Sequence, residues 1–265
     1  MIVCLGLATL DTILVVPRHP EPDDRVVASE RAVAGGGPAA TAAVALARLG
    51  VETAFVGAVG DDAAGEAIRA GLEREGVDTG ALAVVPGLAS PQSTILVGAG
   101  SRAIVTTPPP RLELPAAARE LCRGADWVHV DHVGWAAAPE GVRLSVDAGN
   151  PIAGLDLAGV DLYAPTESSD DGRRAPLTVV TRGEDGCVAY RDGETIEVPG
   201  FPVDAVSTLG AGDVFHGALL AGLAAGLPLR DCLERATVCA ALSCRALDGR
   251  SAVPDEDELS RHLRR

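Results

Sequence analysis

The stretch Val206–Gly217, VSTLGAGDVFHG, constrains the fold more than any other part of this chain. It reads as the end of an apolar strand-like run, tightens through Gly210-Ala211-Gly212, and leads into a helical pattern that continues to about Ala225. A glycine turn opening a helix leaves backbone N–H groups unpaired at the positive end of the helix dipole, which makes an anion site. Asp213 lies in that same first turn. A single Asp there is ordinarily no more than a helix-start charge. Beside a site suited to phosphate it is also a base, and an anion hole next to a base is what phosphoryl transfer needs.

All 22 basic residues are arginine; the chain has no lysine. A Walker A loop needs its lysine, as does a Schiff-base or pyridoxal-phosphate enzyme, so those classes are excluded. A phosphate site here must rest on backbone amides, arginine and a metal. The 265 residues are 47% hydrophobic, enough for one α/β domain, and with aromatics at 3% its core must be packed from Ala, Val and Leu. A net charge of −15 argues against a nucleic-acid partner and against an anionic membrane surface. No run of about twenty apolar residues occurs, so nothing is expected to span a bilayer. MIVCLGLATLD reads as a first strand rather than a signal peptide, and a cytoplasmic setting is expected. The six cysteines show no Cys-x-x-Cys spacing and read as reduced, buried thiols rather than zinc ligands.

Ile2–Leu7 reads as a buried strand with Asp11 beyond its carboxyl end, the end where open α/β sheets bind ligands. Asp11 is a candidate substrate contact or a plain turn residue. No Gly-x-Gly-x-x-Gly follows, so a dinucleotide fold has no support. Val26–Val33 is a short strand; Ala34–Thr41 then carries three glycines and Pro38 into the small-residue helix Ala42–Leu49. Either a ligand approaches that backbone or the helix entrance is simply tightly packed. Val51–Gly57 is a strand and Asp61–Glu75 a helix. Gln92–Val97 and Arg102–Thr107 flank a hairpin signal, Gly98-Ala99-Gly100-Ser101, and with Val26–Val33 they suit a small lid spanning approximately 12–34 and 91–108 within one domain of 1–265. Leu114–Cys122 is helical, and Trp127–Asp131 is a strand with His129 and His132 near its end, both read as structural. Val142–Asp147, Leu157–Ala164 and Leu177–Thr181 are further strands whose links are short for helical crossovers. Either the crossovers have shrunk to loops or two strands are misassigned. Thr181-x-Gly183-x-x-Gly186 can hold phosphates by hydroxyl and N–H, or be an ordinary turn. Cys187–Tyr190 and Thr195–Val198 form a hairpin, and Leu229–Leu247 and Asp255–Leu263 are helices.

Together these motifs resemble the ribokinase-like (PfkB) family of carbohydrate kinases over essentially the whole chain. The residues that carry the likeness are Gly36-Gly37 with a helix ending Ala47-Arg48-Leu49-Gly50, then Val56-Gly57-x-Val59-Gly60-Asp61-Asp62. Thr181-x-Gly183-x-x-Gly186 and Gly210-Ala211-Gly212-Asp213-x-Phe215-x-Gly217 complete it. Within the family, GGGPAATAAVALARLG, Ser90-Pro91-Gln92-Ser93, GAGDVFHGALL and GRSAVPD are similar to the sulfofructose kinase branch. The resemblance implies a mainly parallel α/β sheet flanked by helices, with a small β lid that often mediates homodimers. It implies transfer of the ATP γ-phosphate to a sugar hydroxyl, with Mg2+. By the same resemblance Asp213 takes the hydroxyl proton, and the N–H groups around Gly210, Ala211 and Gly212 stabilise the transferring phosphoryl. Thr181, Gly183 and Gly186, with Gly210 and Gly212, would hold ATP. Asp11, Gly36, Gly37, Thr41 and Gln92 would face the sugar, with Arg102 and Arg25 as basic contacts.

The chain departs from the family at three places. Ser207 replaces the Asp that helps bind a monovalent cation, which puts that cation in doubt. The magnesium-organising Asn-x-x-Glu falls at Thr166-Glu167-Ser168-Ser169, with both key residues changed, and leaves Glu167 or Asp170 as the substitute. Arg25 occupies one basic position of the sulfofructose kinase branch, but Thr106 stands where sulfonate recognition calls for Asn and no Arg occurs within Asp131–Trp135, so sulfosugar specificity is not claimed. Competing with a sugar kinase are a nucleoside kinase, disfavoured by the few aromatics, and a catalytically weak ligand-binding homologue, suggested by the missing Asn-x-x-Glu pair and Ser207.

Overall fold

A computed structural model describes residues 1–98 and 100–264. In chain order the strands are β1 (Ile2–Leu5), β2 (Thr9–Val15), β3 (Glu30–Gly36), β4 (Thr53–Gly60), β5 (Leu82–Val85), β6 (Gln92–Gly98), β7 (Ser101–Thr106), β8 (Trp127–Val130), β9 (Leu144–Ala148), β10 (Leu162–Pro165), β11 (Leu177–Thr181), β12 (Cys187–Arg191) and β13 (Glu194–Val198). The helices are α1 (Pro38–Arg48), α2 (Ala63–Arg74), α3 (Ala116–Arg123), α4 (Ala211–Ala224), α5 (Leu229–Ser243) and α6 (Glu256–Leu263). Nine strands form one sheet in the order β13-β12-β11-β10-β9-β8-β1-β4-β5, parallel from β11 through β5 and closed at one edge by the antiparallel hairpin β12–β13. A second sheet of four strands, β3-β2-β6-β7, stands apart from it. This is the ribokinase-like α/β architecture expected from the motifs, with helices flanking a mostly parallel sheet.

The two faces of the large sheet are covered differently. One is packed by α1, α4 and α5, whose Ala, Val and Leu side chains join Ile2, Phe55, Trp127 and Val179 in a single core. With few aromatics available, tight helix packing replaces bulky side chains. A Cβ built on Gly217 of α4 would meet Ala42 O at 2.5 Å and Ala45 Cβ at 2.9 Å, so glycine there lets α1 and α4 approach closely. The opposite face is covered by α3 and by loops carrying Ile152, Leu155 and Leu157.

Those loops resolve the short-link question in favour of shrunken crossovers. β8, β9, β10 and β11 are all present, and among the described residues only a 3-10 turn at Trp135–Ala137 interrupts the connections. Two expectations shift. The strand read at Val26–Val33 lies at Glu30–Gly36, where pairing with β2 fixes its register. The run before Gly210 is not a strand: Pro199 and Pro202 lack an N–H, and the exposed Val206 donates to Cys244 O in a loop contact. The hairpin turn includes Ala99, which lies outside the described residues. Among the described residues no helix is long and apolar enough to cross a membrane, and all six cysteines are free and buried.

Candidate active site

Gly210 caps α4 in the left-handed region, φ 73°, which turns the chain sharply into the helix and is a backbone state that side chains resist. Val214 N returns to Gly210 O, so the N–H groups of Gly212 and Asp213 lie in the first turn without a helical acceptor. A Cβ on Gly212 would meet nothing within 4 Å; the helix start opens onto free space. Asp213 is displayed there, beside a cleft lined by residues that include Asp11, Gly36, Gly37, Thr41, Gly210 and Asp248.

The two ends of the chain meet in this cleft. Asp11 lies on β2, in the small sheet rather than at the end of the first large-sheet strand. It is 6% exposed, and its Oδ1 and the neighbouring Thr9 Oγ1 have no protein partner. Burial raises the Asp11 pKa, with the Thr9 and Ser93 hydroxyls and Arg250 opposing. Arg250, also buried, donates from Nη2 to Gly36 O at 2.6 Å and from Nε to Thr41 Oγ1 at 3.2 Å. Burial pulls its pKa down to about 10, which leaves it cationic at neutral pH, facing Asp11 and Asp213. For Asp213, burial and then the nearby charge of Asp147 push the pKa up to about 8, against His216 and Arg250. The carboxyl thus titrates far above the usual carboxylate range, where proton transfer at neutral pH is efficient.

Asp131, at the end of β8, organises the same region from below. Its Oδ2 accepts from Leu7 N at 2.8 Å and Ala39 N at 3.2 Å, and its Oδ1 from Val133 N at 2.8 Å and Gly134 N at 2.9 Å. One carboxylate therefore ties the loop after β1, which leads into β2 and Asp11, to the first turn of α1, which follows Gly36-Gly37.

Thr181 ends β11 at the same edge of the sheet, followed by Gly183 at φ 59° and Gly186 at φ 87°. Glu167 is exposed, its N–H donating to Thr181 O at 2.9 Å. The Asn-x-x-Glu position holds no metal-binding carboxylate pair. Thr166 and Ser169 bond to each other at 2.9 Å, Ser169 Oγ also donates to Ala148 O, and Asp170 is paired with Arg174 at 2.7 Å. These groups are satisfied within the protein and do not build a magnesium site. Ser207 Oγ is likewise used locally, accepting from Leu209 N at 3.2 Å.

Of the sequence candidates, Asp11, Gly36, Gly37, Thr41, Gly210 and Asp213 line one cleft, with Ala211 and Gly212 in the adjoining helix turn. Thr181, Gly183 and Gly186 form a separate group on the same sheet edge. Gln92, Arg102 and Arg25 are exposed and lie outside the cleft lining; Arg102 Nη1 instead donates to Thr208 Oγ1 at 2.7 Å, linking the small sheet to the segment before Gly210. Sequence reasoning missed Thr9, Asp131, Asp147, His216 and Arg250. The GRSAVPD motif held the signal for Arg250, but nothing in it places a guanidinium 214 residues away against Gly36.

The pfkB family carbohydrate kinase model matches residues 1–146 and 169–256. The chain belongs to the pfkB family of carbohydrate kinases. It is 29% identical to the ATP-dependent ribose-1-phosphate kinase of Halopiger xanaduensis, across 97% of this chain and 96% of the relative. It is 30% identical to a fructokinase of Klebsiella pneumoniae, across 86% and 91%. The solved ribokinase of Arabidopsis thaliana, complexed with ribose and ATP, superposes with a TM-score of 0.86 at 22% identity, covering 100% of this chain and 98% of that one. These relatives lend no support to the sulfofructose kinase likeness. The protein is a carbohydrate phosphotransferase, and residues 147–168, outside the family match, include all of the altered Asn-x-x-Glu position but Ser169.

Proposed function

We propose that the protein transfers the γ-phosphate of ATP to a hydroxyl of one small, uncharged sugar bound between Asp11 and Asp213. The observation that carries this reading is the position of Asp213: in one cleft, beside the open N-terminal turn of α4 and across from the unpartnered atoms of Thr9 and Asp11. Asp213 takes the acceptor hydroxyl proton. The Gly212 and Asp213 N–H groups, with the Gly210-Ala211-Gly212 turn, face the charge that develops on the phosphoryl oxygens. Asp11 and Thr9 receive sugar hydroxyls, while Arg250 holds Gly36 and Thr41 in place. Thr181, Gly183 and Gly186 hold the nucleotide phosphates. The residues around Glu167 offer Mg2+ no ready cage, so a magnesium ion would be held mainly by the nucleotide phosphates, whose charge it would neutralise.

Asp11, Asp213 and Asp248 line the cleft, and the one guanidinium that faces it is already engaged by Gly36 O and Thr41 Oγ1. Carboxyl groups with no free cation offer an anionic acceptor little and suit the hydroxyls of neutral ketoses or aldoses. A second copy docks on the small sheet, where Val27, Val33, Ile104 and Val105 are 48–81% exposed; ATP use and free buried thiols fit a cytoplasmic setting. The test is ATP-dependent turnover over a panel of ketohexoses, aldopentoses, sugar phosphates, sulfosugars and nucleosides. Neutral sugars should be phosphorylated best. Preference for a sugar phosphate would overturn the acceptor class, and binding without turnover on every member would overturn the catalytic reading.

A further inference from the structure

Outside the cleft lining, three side chains converge that the phosphoryl-transfer reading does not use. His129 lies on β8, Asp147 on β9 and His216 on α4, one helical turn beyond Asp213. They are 0%, 4% and 4% exposed, and one ligand atom from each lies within 4.8 Å of the other two. His129 and Ser145 are direct cross-strand neighbours, and Asp147 is two residues on, hence on the same face of the sheet as Ser145. α4 packs onto that face and closes the group.

Asp147 Oδ1 accepts from Gly149 N at 2.8 Å, but three nitrogens of the cluster have no such partner. His129 Nε2 and both nitrogens of His216 are buried without a hydrogen-bond partner. Leaving such atoms bare in a core costs about 1–3 kcal/mol each. His216 Nδ1 comes within 3.2 Å of Asp147 Oδ2, yet the two are not aligned as donor and acceptor. That N···O separation also matches an edge of a coordination polyhedron: bonds of about 2.0–2.1 Å in a tetrahedral site put neighbouring ligands roughly 3.3 Å apart. On its other side His129 Nδ1 lies 3.0 Å from Ser145 Oγ. An Nδ1–H donated to that hydroxyl leaves the Nε2 lone pair facing the cluster, as outer partners of metal-bound imidazoles do. The two rings are tilted by 57° with centroids 5.8 Å apart, splayed around a common space rather than stacked.

We propose that His129, Asp147 and His216 form a structural site for a divalent first-row metal of the zinc type, which pins the catalytic helix α4 to strands β8 and β9. Two imidazoles and one carboxylate suit Zn2+, with a water or a fourth neighbour completing the shell. This site is separate from the magnesium that accompanies ATP, and the sequence gives no cysteine cue to it.

The test needs no substrate. The full chain is unfolded in denaturant with chelator and refolded with Zn2+ or with Co2+. Metal content is then measured after dialysis without nucleotide. About one equivalent per chain is expected to be retained, slow to leave because the site is closed, and the Co2+ form should show the visible absorption of a four- or five-coordinate ion. His129→Gln and His216→Asn, checked for native circular dichroism, should each lower the retained metal at least tenfold. A wild-type chain that refolds fully in excess Zn2+ and Co2+ yet retains neither overturns the proposal. So does equal retention by the folded variants, since that places the metal elsewhere. Should both variants fail to fold, the Co2+ spectrum of the wild-type chain decides alone: absorption typical of six-coordinate, oxygen-bound Co2+ contradicts a site with two imidazoles. Kinase turnover enters none of these readouts, so the acceptor assignment can fail or stand independently.

Discussion

Asp213 is held in a state that costs stability and serves chemistry. Its folded pKa stands above the value of an unfolded aspartate, first because burial penalises the charge and next because Asp147 repels it. The folded protein therefore binds more protons than the unfolded one between pH about 4 and about 8, and stability falls as pH rises through that window. Asp213→Asn removes this burden. Its Tm should exceed that of the parent at pH 8, by about 2–4 °C for each kcal/mol regained, and match it below pH 4. A Tm below the parent's at pH 8 would show that the carboxylate is stabilised instead. The same displacement puts the acid limb of kcat/KM well above pH 4: only the deprotonated base works, so activity is lost as pH falls through the raised pKa. Arg250 carries a different burden. It bridges Gly36 and Thr41 from the far end of the chain, and Arg250→Lys keeps the charge but not the forked donors. A fall of roughly 10–100-fold in kcat/KM, mostly through KM, is expected in steady-state assays; an unchanged KM would remove Arg250 from the account of the sugar site.

At the scale of elements, α1 and α4 are the pair on which the site depends. Their starts carry Gly37 and Gly210, and their bodies touch at Gly217, Ala42 and Ala45. Gly217→Ala must push Ala42 O away from 2.5 Å, and overpacking of that kind costs about 1–3 kcal/mol, readable as a lower urea midpoint. No change in midpoint would mean that the helices separate freely. Glycines, prolines and apolar periodicity made both helix starts legible in the sequence, because they act over a few residues. The crossovers after β8, β9 and β10 were half legible: their short links left loops and misassigned strands both open, because apolar residues such as Ile152, Leu155 and Leu157 cover the sheet without helical order. Nor does a run such as Phe201–Val206 reveal that the Val206 N–H turns to Cys244 rather than to a strand.

For the whole molecule, the first and last parts of the chain meet at one cleft, and this separates what could be read from what could not. Asp213 and its glycine turn announce themselves locally. Asp131 and Arg250 do not, since their roles exist only once Leu7, Ala39 and Gly36 have been brought to them. Gln92, Arg102 and Arg25 show the converse, being suitable residue types that the fold leaves outside the cleft lining. The exposed apolar residues of the small sheet should make the protein a dimer by light scattering, and charged substitutions at Ile104 and Val105 should return a folded monomer. A wild-type monomer at assay concentrations would contradict this. The central claim rests on Asp213 as the base, and the direct measurement is ATP-dependent sugar phosphorylation by Asp213→Asn beside the parent, with nucleotide affinity and fold measured on the same samples. Turnover should fall by about 10³-fold or more while ATP still binds and the fold is retained; turnover within a few-fold of the parent would contradict the account.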